Sequence, residues 1–488
     1  MQYKLADDRV REFERIFYPR SIALVGASKD NRKMGSRWAK ALIDSGFNGP
    51  VYPVNPSGGE FFTAKVYSSL KAIPGPVDLV ICCIPRAFVL DLLDDCAAKQ
   101  VSAVHFFTAG FRETGEAQWI HIEEEMAMRA QKGGFRIIGP NCIGVSCPEH
   151  KLPYGASSVV GKPGPVGFIS QSGGHAGKLM VIGLTRGIGF SKIASIGNCC
   201  DLGSADFLEY MAVDPKTKVV GLYLEGPRDI QRLFEVMRAA SERKPVVVWK
   251  GGATEAGAKA ASSHTGAMMA SADLWTAALK QAGAIEVRGV DEMADTLLLF
   301  QRVGPVRKAH LGIICGLTGD GESEALLAAD ACAAFGIDVF PFTESTRREL
   351  LGLAGQASTT LISPLDLNQL SGILQALEQG IELVAADRRV DIIVVYENAD
   401  TLVGLMTKEV ADLINGMIVK ASQKGRKPII VVSPPGSLDL ERLDIECRLC
   451  EAGIPVYPSM ERAAKAIADV KRYYGCHAEA ACLALPWI

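Results

Sequence analysis

The sequence predicts an α/β protein made of three consecutive doubly wound domains. Along its 488 residues, short apolar runs rich in β-branched residues alternate with longer segments of helical period, as in parallel sheets covered by helices. The alternation forms three blocks, each about the size of one such domain, and a chain this long exceeds a single hydrophobic core. We therefore place the domains at residues 1–145, 155–303 and 309–475.

The first block begins with a charged, amphipathic helix candidate. It continues with five strand candidates, each an apolar run that leads into Gly, Pro or Ser. They are SIALVGAS (21–28), VYPVNP (51–56), VDLVICCIP (77–85), VSAVHFFTAG (101–110) and RIIGPNCIG (136–144). A stretch rich in Pro, Gly and Ser, 146–164, follows and is expected to be a linker.

The second and third blocks repeat this alternation on either side of a break at 302–310. The strand candidates of the second block are PVGFISQSGG (165–174), FSKIASIGN (190–198), VVGLYLEG (219–226), KPVVVWKGG (244–252) and a short AIEV run. Those of the third block are LGIICGLTGDG (311–321), IDVFPF (337–342), VDIIVVYEN (390–398), KPIIVVSPPG (427–436) and PVYPS (455–459).

Composition and charge exclude several classes of protein. The net charge of -3 and pI of about 6.2 give no basic surface, so we expect no nucleic acid partner. No apolar run reaches the length of a membrane helix, so no membrane contact is expected. The cysteines lie mostly in apolar runs, which favours a reduced, cytoplasmic setting. Cys447 and Cys450 have C-x-x-C spacing in a helix-like run without further ligands nearby, and we expect no metal site.

The first strand candidate ends in a glycine turn suited to phosphate. Gly26, Ser28 and Gly35 would let a pyrophosphate approach the start of the next helix, where free N–H groups favour anions. The second strand candidate ends in Asn55 and Pro56, not in the acidic residue that would hold the ribose of a nicotinamide dinucleotide. A dinucleotide enzyme is therefore disfavoured, whereas the nucleotide of coenzyme A fits the same crevice.

Three further loops of the first block are expected at the same edge of the sheet. They follow the third, fourth and fifth strand candidates, and ligands bind at this carboxyl edge in open α/β folds. Ordinary strand-to-helix turns remain the alternative. The candidate cofactor-binding residues in these loops are Ile84, Pro85, Thr108, Ala109, Gly110, Asn141 and Cys142.

The second block holds a candidate phosphate cradle at Ser172, Gly173 and Gly174. These residues follow a strand and open a helix, so a hydroxyl and unobstructed N–H groups converge there. Ser172 as a plain N-cap is the alternative. His175, in the first turn, is either a phosphate contact or an ordinary packing histidine.

His264, in AASSHTGAMMA, is the candidate nucleophile. Its small neighbours permit movement and close approach, and a neutral imidazole can take a phosphoryl group. Glu225, at the end of an adjacent strand candidate, could accept the proton of the second ring nitrogen; pairing with Arg228 is the alternative.

Asn198 could bind an acyl phosphate, and Asp201 could cap the following helix. The third block looks like a scaffold or interface, because Asp320 and Glu322 would repel phosphate.

With these residues assembled, the chain resembles the alpha subunit of the NDP-forming acyl-CoA synthetases, of the ADP-forming acetate–CoA ligase type. More distantly it resembles the succinyl-CoA synthetase alpha subunit. The similarity extends over about positions 12–475. The motifs that carry it are PRSIALVGAS, VYPVNP, the run Gly110–Glu113, GPNCIG, ISQSGG, the run Gly197–Asp201, LYLEG, SSHTGA and SPLDL.

The resemblance implies a Rossmann-like CoA-binding domain followed by two flavodoxin-like domains. It implies that His264 is the phosphorylated histidine, that Glu225 steadies it, and that Ser172–Gly174 receives the phosphate. The positions that it implies for coenzyme A are Gly26, Ser28, Pro56, Pro85, Thr108 and Asn141. The family's N-x-G-G-x-G turn is replaced by Cys315–Asp320, which puts a ligand role of the third domain in doubt.

The family also needs ATP-grasp domains, which this chain lacks. The resemblance therefore implies a separate beta subunit that holds ATP or ADP with Mg²⁺, in a heterotetramer. The expected reaction joins a carboxylic acid and coenzyme A at the expense of ATP, through acyl phosphate and phospho-His264. The alternative is a non-catalytic subunit or sensor that binds CoA or acyl-CoA, and intact His264 and Glu225 argue against it. An NAD-dependent dehydrogenase is a third, weaker hypothesis.

Overall fold

The computed structural model describes residues 5–61, 64–157, 160–252, 254, 257, 272–317, 321–353, 363–367 and 373–477. The chain divides into two compact units. The first ends at Met293 and the second begins at Ala294, with Thr185–Gly187 grouped with the second. Mainly parallel sheets with intervening helices make up both units, so the predicted α/β class is confirmed. The domain limits drawn from the sequence stay predictions.

The first sheet of unit one is parallel, with strand order β2-β1-β5-β6-β7. Its strands are β1 (Ile22–Val25), β2 (Val51–Val54), β5 (Leu79–Cys82), β6 (Ala103–Phe106) and β7 (Arg136–Ile138), and β3 (Glu60–Phe61) and β4 (Ala64–Lys65) form a small hairpin. The helices of this part are α1 (Asp7–Phe17), α2 (Met34–Asp44), α3 (Val89–Lys99) and α4 (Ala117–Gly133). Because the chain turns back between β1 and β5, the loops after these two strands flank the usual ligand crevice of such a sheet.

The second sheet has six strands in the order β13-β12-β11-β9-β10-β8. They are β8 (Gly144–Ser146), β9 (Pro163–Ser170), β10 (Phe190–Ser195), β11 (Val219–Leu224), β12 (Val246–Lys250) and β13 (Ile285–Val287). The helices are α5 (Gly173–Arg186), α6 (Ser204–Val213), α7 (Ile230–Ser241) and α8 (Ala272–Gln281). The direction of winding reverses at β9, so β9 and β11 flank the crevice of this sheet.

The segment between the first two sheets is more ordered than the expected linker. β8 pairs antiparallel with β10, so the chain joins the second sheet as soon as it leaves the first. Leu152 and Tyr154 are buried, and β9 begins at Pro163. The described part of 146–164 therefore connects the two sheets, and apolar side chains among its glycines and prolines pack into the unit.

Helix α1 packs against the second sheet's helix α6, although it belongs to the first block in sequence. Phe13, Ile16 and Phe17 recur at helical spacing and are fully buried. The rings of Phe13 and Tyr210 stack 5.0 Å apart, and Phe13 meets Phe207 edge-on at 5.2 Å. Residues of both sheets therefore share one hydrophobic core.

Unit two contains a parallel sheet with the order β15-β14-β16-β17-β18. Its strands are β14 (Leu311–Cys315), β15 (Leu365–Asp366), β16 (Ile392–Tyr396), β17 (Ile429–Val432) and β18 (Val456–Tyr457). The helices are α9 (Val290–Arg302), which spans the division between the units, α10 (Gly321–Ala334), α11 (Glu344–Leu353), α12 (Ile373–Ala386), α13 (Lys408–Gln423), α14 (Asp439–Glu451) and α15 (Met460–Cys476).

The strand predicted at 337–342 is wrong. This segment is irregular, with Phe340 and Pro341 exposed, and Leu365–Asp366 takes the place beside β14 instead. Pro341 has no N–H to donate to a ladder, and the segment buries too few side chains for a central strand. Across the described residues, no helix is long and apolar enough to cross a membrane, and no cluster of three or more His, Cys, Asp or Glu could hold a metal ion.

Candidate functional site

The predicted cofactor-binding residues lie at the carboxyl edge of the first sheet. Gly26 and Ser28 follow β1, Asn55 and Pro56 follow β2, Ile84 and Pro85 follow β5, Thr108, Ala109 and Gly110 follow β6, Asn141 and Cys142 follow β7, and Gly35 lies in the first turn of α2. Parallel strands bring these loops together although they are far apart in sequence.

The loop after β1 depends on two glycines. Gly26 has φ of +95°, a conformation that L side chains rarely adopt. A Cβ on Gly35 would lie 2.0 Å from the carbonyl oxygen of Gly26. The loop and the start of α2 therefore approach each other as closely as backbones can. Since the first N–H groups of a helix have no intrahelical acceptor, this start can bind an anion.

Asn55 joins the loops after β1 and β2. Its side-chain Nδ2 donates to the carbonyl oxygen of Ala27 at 2.7 Å, and its Oδ1 accepts from the N–H of Ser57 at 3.0 Å. The Ser28 hydroxyl accepts from the N–H of Asp30 at 3.2 Å. Asn55 therefore holds the loops after β1 and β2 together. It occupies the position where a dinucleotide-binding site would carry a carboxylate.

The loops after β5 and β6 are bonded to each other on the opposite side of the crevice. Thr108 Oγ1 donates to the carbonyl oxygen of Ile84 at 2.7 Å, and Arg86 donates to that of Gly110 at 2.5 Å. Gly110 has φ of +101°, and its N–H donates to Glu113 Oε1 at 2.6 Å. These bonds hold both loops at the crevice that opens between β1 and β5.

The two residues after β7 differ in what they can offer a ligand. Asn141 has φ of +57°, and its N–H donates to the carbonyl oxygen of Thr108 at 3.0 Å. Cys142 is only 4% exposed, and its thiol lies against the carbonyl oxygens of Phe106 and Ile138. Burial raises the pKa of the Cys142 thiol above its usual value. Its side chain is therefore part of the core, and only its backbone lies at the edge.

Asn198, the candidate acyl phosphate contact, connects the two sheets of unit one. Its Nδ2 donates to Glu113 Oε2 at 2.5 Å and to Glu123 Oε2 at 2.8 Å, and its Oδ1 lies 3.5 Å from Asn141 Nδ2. The amide nitrogen is thus occupied by two carboxylates of the first block.

Glu123 is the centre of this network, and the sequence analysis did not find it. Its side chain is 0% exposed, accepts from Arg112 Nε at 3.2 Å, and forms a close ion pair with Arg228. Arg228 therefore pairs with Glu123 and not with Glu225, so the alternative for Glu225 is wrong. A usable signal existed, since Glu123 shares the buried face of α4 with Met126 and Ala130, at spacings of three and seven residues.

Asp201 does not cap the following helix as expected. Its carboxylate binds the guanidinium of Arg136 at 2.7 and 2.9 Å and the N–H of Ile137 at 2.8 Å. The N-cap of α6 is Gly203, whose N–H donates to Asp206. Asp201 is thus another link between the sheets, where a bidentate arginine outweighs the local cap.

The candidate phosphate cradle lies at the start of α5, directly after β9. Ser170 Oγ donates to the carbonyl oxygen of Ser172 at 2.6 Å, and Ser172 Oγ accepts from the N–H of His175 at 3.4 Å. A Cβ on Gly173 would lie 2.4 Å from a side-chain carbon of Ile143. Ser172 thus caps the helix, and the glycines leave its first N–H groups accessible to an anion.

Glu225 is held rigidly beside this helix start, because β9 and β11 are neighbours. Its N–H donates to Gln171 Oε1 at 2.6 Å, and Lys250 Nζ donates to its carbonyl oxygen at 2.8 Å. Tyr223 donates from its hydroxyl to Glu225 Oε1 at 3.1 Å, which leaves the other carboxylate oxygen for a further donor. Gln171 also accepts from Gly226 N–H, a role that the sequence analysis missed inside the SQSGG run.

His175 packs against aromatic rings. Its ring stacks on Tyr223 at 4.3 Å and meets Trp249 edge-on at 4.6 Å. Burial lowers the pKa of His175, and its Nδ1 is buried without a hydrogen-bond partner among the residues that the structure describes.

His264, the candidate nucleophile, lies outside the described residues. The chain before it leaves the sheet at the end of β12, the strand next to β11. A Cβ on Gly251 would lie 2.5 Å from the Tyr223 hydroxyl, so this exit passes close to the group that holds Glu225.

Known protein families match both halves of unit one. The family described as a CoA binding domain matches residues 20–148, and the succinyl-CoA ligase like flavodoxin domain matches residues 163–300. The structure is similar to that of acetyl-coenzyme A synthetase 1 from Ca. Korarchaeum cryptofilum in complex with phosphate and ADP. The identity is 30% and the TM-score 0.84, over 96% of this chain and 97% of that one.

The curated relatives differ in how much of their own length this chain matches. The ADP-forming acetate–CoA ligase I alpha subunit of Pyrococcus furiosus is 34% identical over 94% of this chain and 97% of its own length. The ADP-forming acetate–CoA ligase I of Archaeoglobus fulgidus is 35% identical over 78% of this chain, but the match spans only 54% of that protein. The chain therefore belongs to the ADP-forming acetate–CoA ligase family, and it matches the alpha subunits of that family over nearly their whole length.

Proposed function

We propose that the chain is the alpha subunit of an ADP-forming acyl-CoA synthetase, which interconverts acid, CoA and ATP with acyl-CoA, ADP and phosphate. One observation carries the proposal. Hydrogen bonds from Asn198 to Glu113 and Glu123 join the first block to the carboxyl edge of the second sheet. The same edge of the second sheet carries the Ser172 helix start and Glu225. A thioester held by the first sheet would thus meet a phosphate held by the second.

The match to a Pyrococcus furiosus protein named as an alpha subunit, over 97% of its length, supports a division of the chemistry between two polypeptides. We assign the nucleotide and its Mg²⁺ to a separate ATP-grasp beta subunit, in a heterotetramer. The Mg²⁺ there would offset charge on the transferred phosphoryl group. The residues of this chain bind CoA and the acyl group, orient phosphate, and move the phosphoryl group between the sites.

In the direction of acyl-CoA consumption, a phosphate oxygen attacks the thioester carbon, and the C–S bond breaks. CoA leaves as the thiol after it takes a proton, and acyl phosphate remains. A ring nitrogen of His264 then attacks phosphorus, the P–O bond to the acyl group breaks, and the carboxylate leaves. The other ring nitrogen keeps its proton and donates a hydrogen bond to the second carboxylate oxygen of Glu225, which stabilises the cationic phosphoimidazole.

The Ser172–Gly174 helix start holds the phosphate through both steps. Its N–H groups and dipole stabilise the negative charge on the three non-bridging oxygens without any movement of the protein. Phosphoryl transfer of this kind depends on positioning and charge neutralisation more than on covalent help. Phospho-His264 would then deliver the group to ADP on the partner.

The test is covalent labelling of the purified complex with radioactive ATP. His264→Ala should carry no label, whereas His121→Ala, a change at an exposed histidine of α4, should label like the wild type. Labelling of His264→Ala at the wild-type level would overturn the role of His264. CoA binding without labelling of wild-type protein by ATP in the presence of its partner would favour the non-catalytic alternative.

A further inference from the structure

Arg86 lies at the crevice of the first sheet, in the loop after β5, and it has no part in the proposed phosphoryl transfer. Its guanidinium carbon is 3.6 Å from the centre of the Trp119 ring, a close cation–π stack. One of its nitrogens donates to the carbonyl oxygen of Gly110 at 2.5 Å. Two contacts of different kinds therefore fix the plane and the direction of this guanidinium.

The fixed guanidinium has no carboxylate partner among the described residues. Two other arginines of the first block are neutralised, since Arg112 pairs with Glu123 and Glu124, and Arg129 pairs with Asp94 and Glu125. A guanidinium has five N–H donors, and the Gly110 carbonyl uses one. At this partly exposed position, Arg86 thus has a charge that no described carboxylate pairs with, and donors that no described acceptor uses.

The loop after β6 leaves room for the Arg86 side chain because it carries a glycine, Gly110, at the point of contact. A Cβ on Gly110 would lie 2.8 Å from the Arg86 nitrogen, and the backbone there has φ of +101°. On the other side of the crevice, the loop between β1 and α2 exposes Lys29 and Lys33. Cations therefore flank the crevice between β1 and β5, where open α/β sheets bind their ligands.

We propose that Arg86 binds a phosphate of the nucleotide half of coenzyme A. The inference rests on the proposed function, and it adds one specific contact to it. A planar guanidinium with two parallel N–H groups matches two oxygens of a phosphate. Coenzyme A offers two such groups, the pyrophosphate and the 3′-phosphate, and both have the chemistry that Arg86 requires. Trp119 acts through Arg86 as a positioning residue.

The experiment is titration calorimetry of the full chain with CoA and with dephospho-CoA, at low and high salt. Arg86→Gln should weaken CoA binding about 10- to 100-fold, as expected for a lost charge-assisted pair. Arg86→Lys should recover part of the affinity, because it keeps the charge but loses the planar fork. Arg129→Gln, which removes an arginine already paired with two carboxylates, should bind both ligands like the wild type.

The two ligands identify the phosphate. If Arg86→Gln weakens CoA but not dephospho-CoA, the contact is the 3′-phosphate; if both fall together, it is the pyrophosphate. In either case, the affinity of the Arg86→Gln variant for CoA should depend less on salt concentration than that of the wild type. Wild-type affinity for both ligands, or a loss with unchanged salt dependence, would overturn the proposal. A wild-type chain that binds neither ligand would overturn the proposed function itself, and this contact with it.

Discussion

The carboxyl edges of the sheets in unit one and in unit two have the same architecture and different chemistry. The edge of unit one offers glycines, amide groups and open helix starts, as at Gly26, Asn55 and Gly173, beside the carboxylate of Glu225. In the described part of unit two, carboxyl groups of α10 and β15 lie at this edge. Glu324 accepts from the N–H of Gly316 at 2.9 Å, and Asp366 lies against the same glycine. The residues at the edge, more than the fold, therefore decide whether such an edge can receive phosphate.

Buried carboxyl groups make the contrast sharper. Glu123 in unit one accepts a hydrogen bond from Asn198 and forms ion pairs with Arg112 and Arg228. Glu397 in unit two is also 0% exposed, but within the described part of the chain its side chain accepts only from Asn415 Nδ2, at 3.2 Å, and its Oε2 has no partner there. Burial raises the pKa of Glu397 to about 7. The same substitution should therefore have opposite consequences in the two units.

Glu123→Gln should give the largest effect. It leaves Arg112 and Arg228 without their buried carboxylate, and breaking such a pair costs about 4 kcal/mol in free energy of unfolding. Urea denaturation measures this cost. Glu124→Gln removes an exposed carboxylate one residue away and should change stability by less than about 1 kcal/mol. Equal effects of the two variants would show that the network is not important for stability.

Gly35→Ala should follow, with a loss of about 3 kcal/mol, because its Cβ would meet the backbone of Gly26 at 2.0 Å. The matched change in unit two is Gly416→Ala, in the middle of α13, where a Cβ meets nothing within 4 Å. That change should stabilise the protein by about 0.5 to 1 kcal/mol, since alanine favours helix. Thermal melts of both variants measure the two effects. Destabilisation by Gly416→Ala would contradict the expectation that unit two has room for a Cβ at this position.

Glu397→Gln should stabilise the protein relative to the wild type as pH rises. A folded pKa of about 7 lies above the ordinary value, so the folded state binds the proton more tightly, and wild-type stability is lost as pH rises through this window. The measurement is urea denaturation of variant and wild type at each pH. The unfolding free energy of the variant minus that of the wild type should rise by about 2 kcal/mol between about pH 5 and pH 8. A pH-independent difference would mean that Glu397 does not titrate there.

Trp119→Leu should give the smallest effect. It removes the ring under Arg86 but neither the charge nor the bond to Gly110, so CoA affinity should fall about threefold. Trp119→Phe should restore most of the affinity because it keeps an aromatic face. Calorimetry with CoA gives both values. A loss as large as that of Arg86→Gln would mean that the ring contacts the ligand itself or that the loop has collapsed.

The sequence was sufficient for most strands of the sheets but not for the contacts between the sheets. Runs such as those that form β5, β11 and β16 are continuous and apolar because strands buried on both faces must be so. The strand prediction for 337–342 was wrong, since composition alone does not reveal that only the ends of this run, Ile337 and Phe342, are well buried while Phe340 is exposed. The roles of Asn198 and Asp201 depend on carboxylate and arginine partners 65 to 85 residues away, and no local pattern encodes such pairs.

The short strand β8 has a practical consequence for dissecting the protein. It continues directly from the first sheet, yet its hydrogen bonds belong to β10 of the second. Helix α1 makes the reverse connection from the other end of the first block, through Phe13 and Phe17. A fragment cut near residue 145 would expose aromatic side chains and an unpaired strand edge, and we expect it to aggregate. The first two blocks would therefore have to be expressed, permuted or fused as one piece.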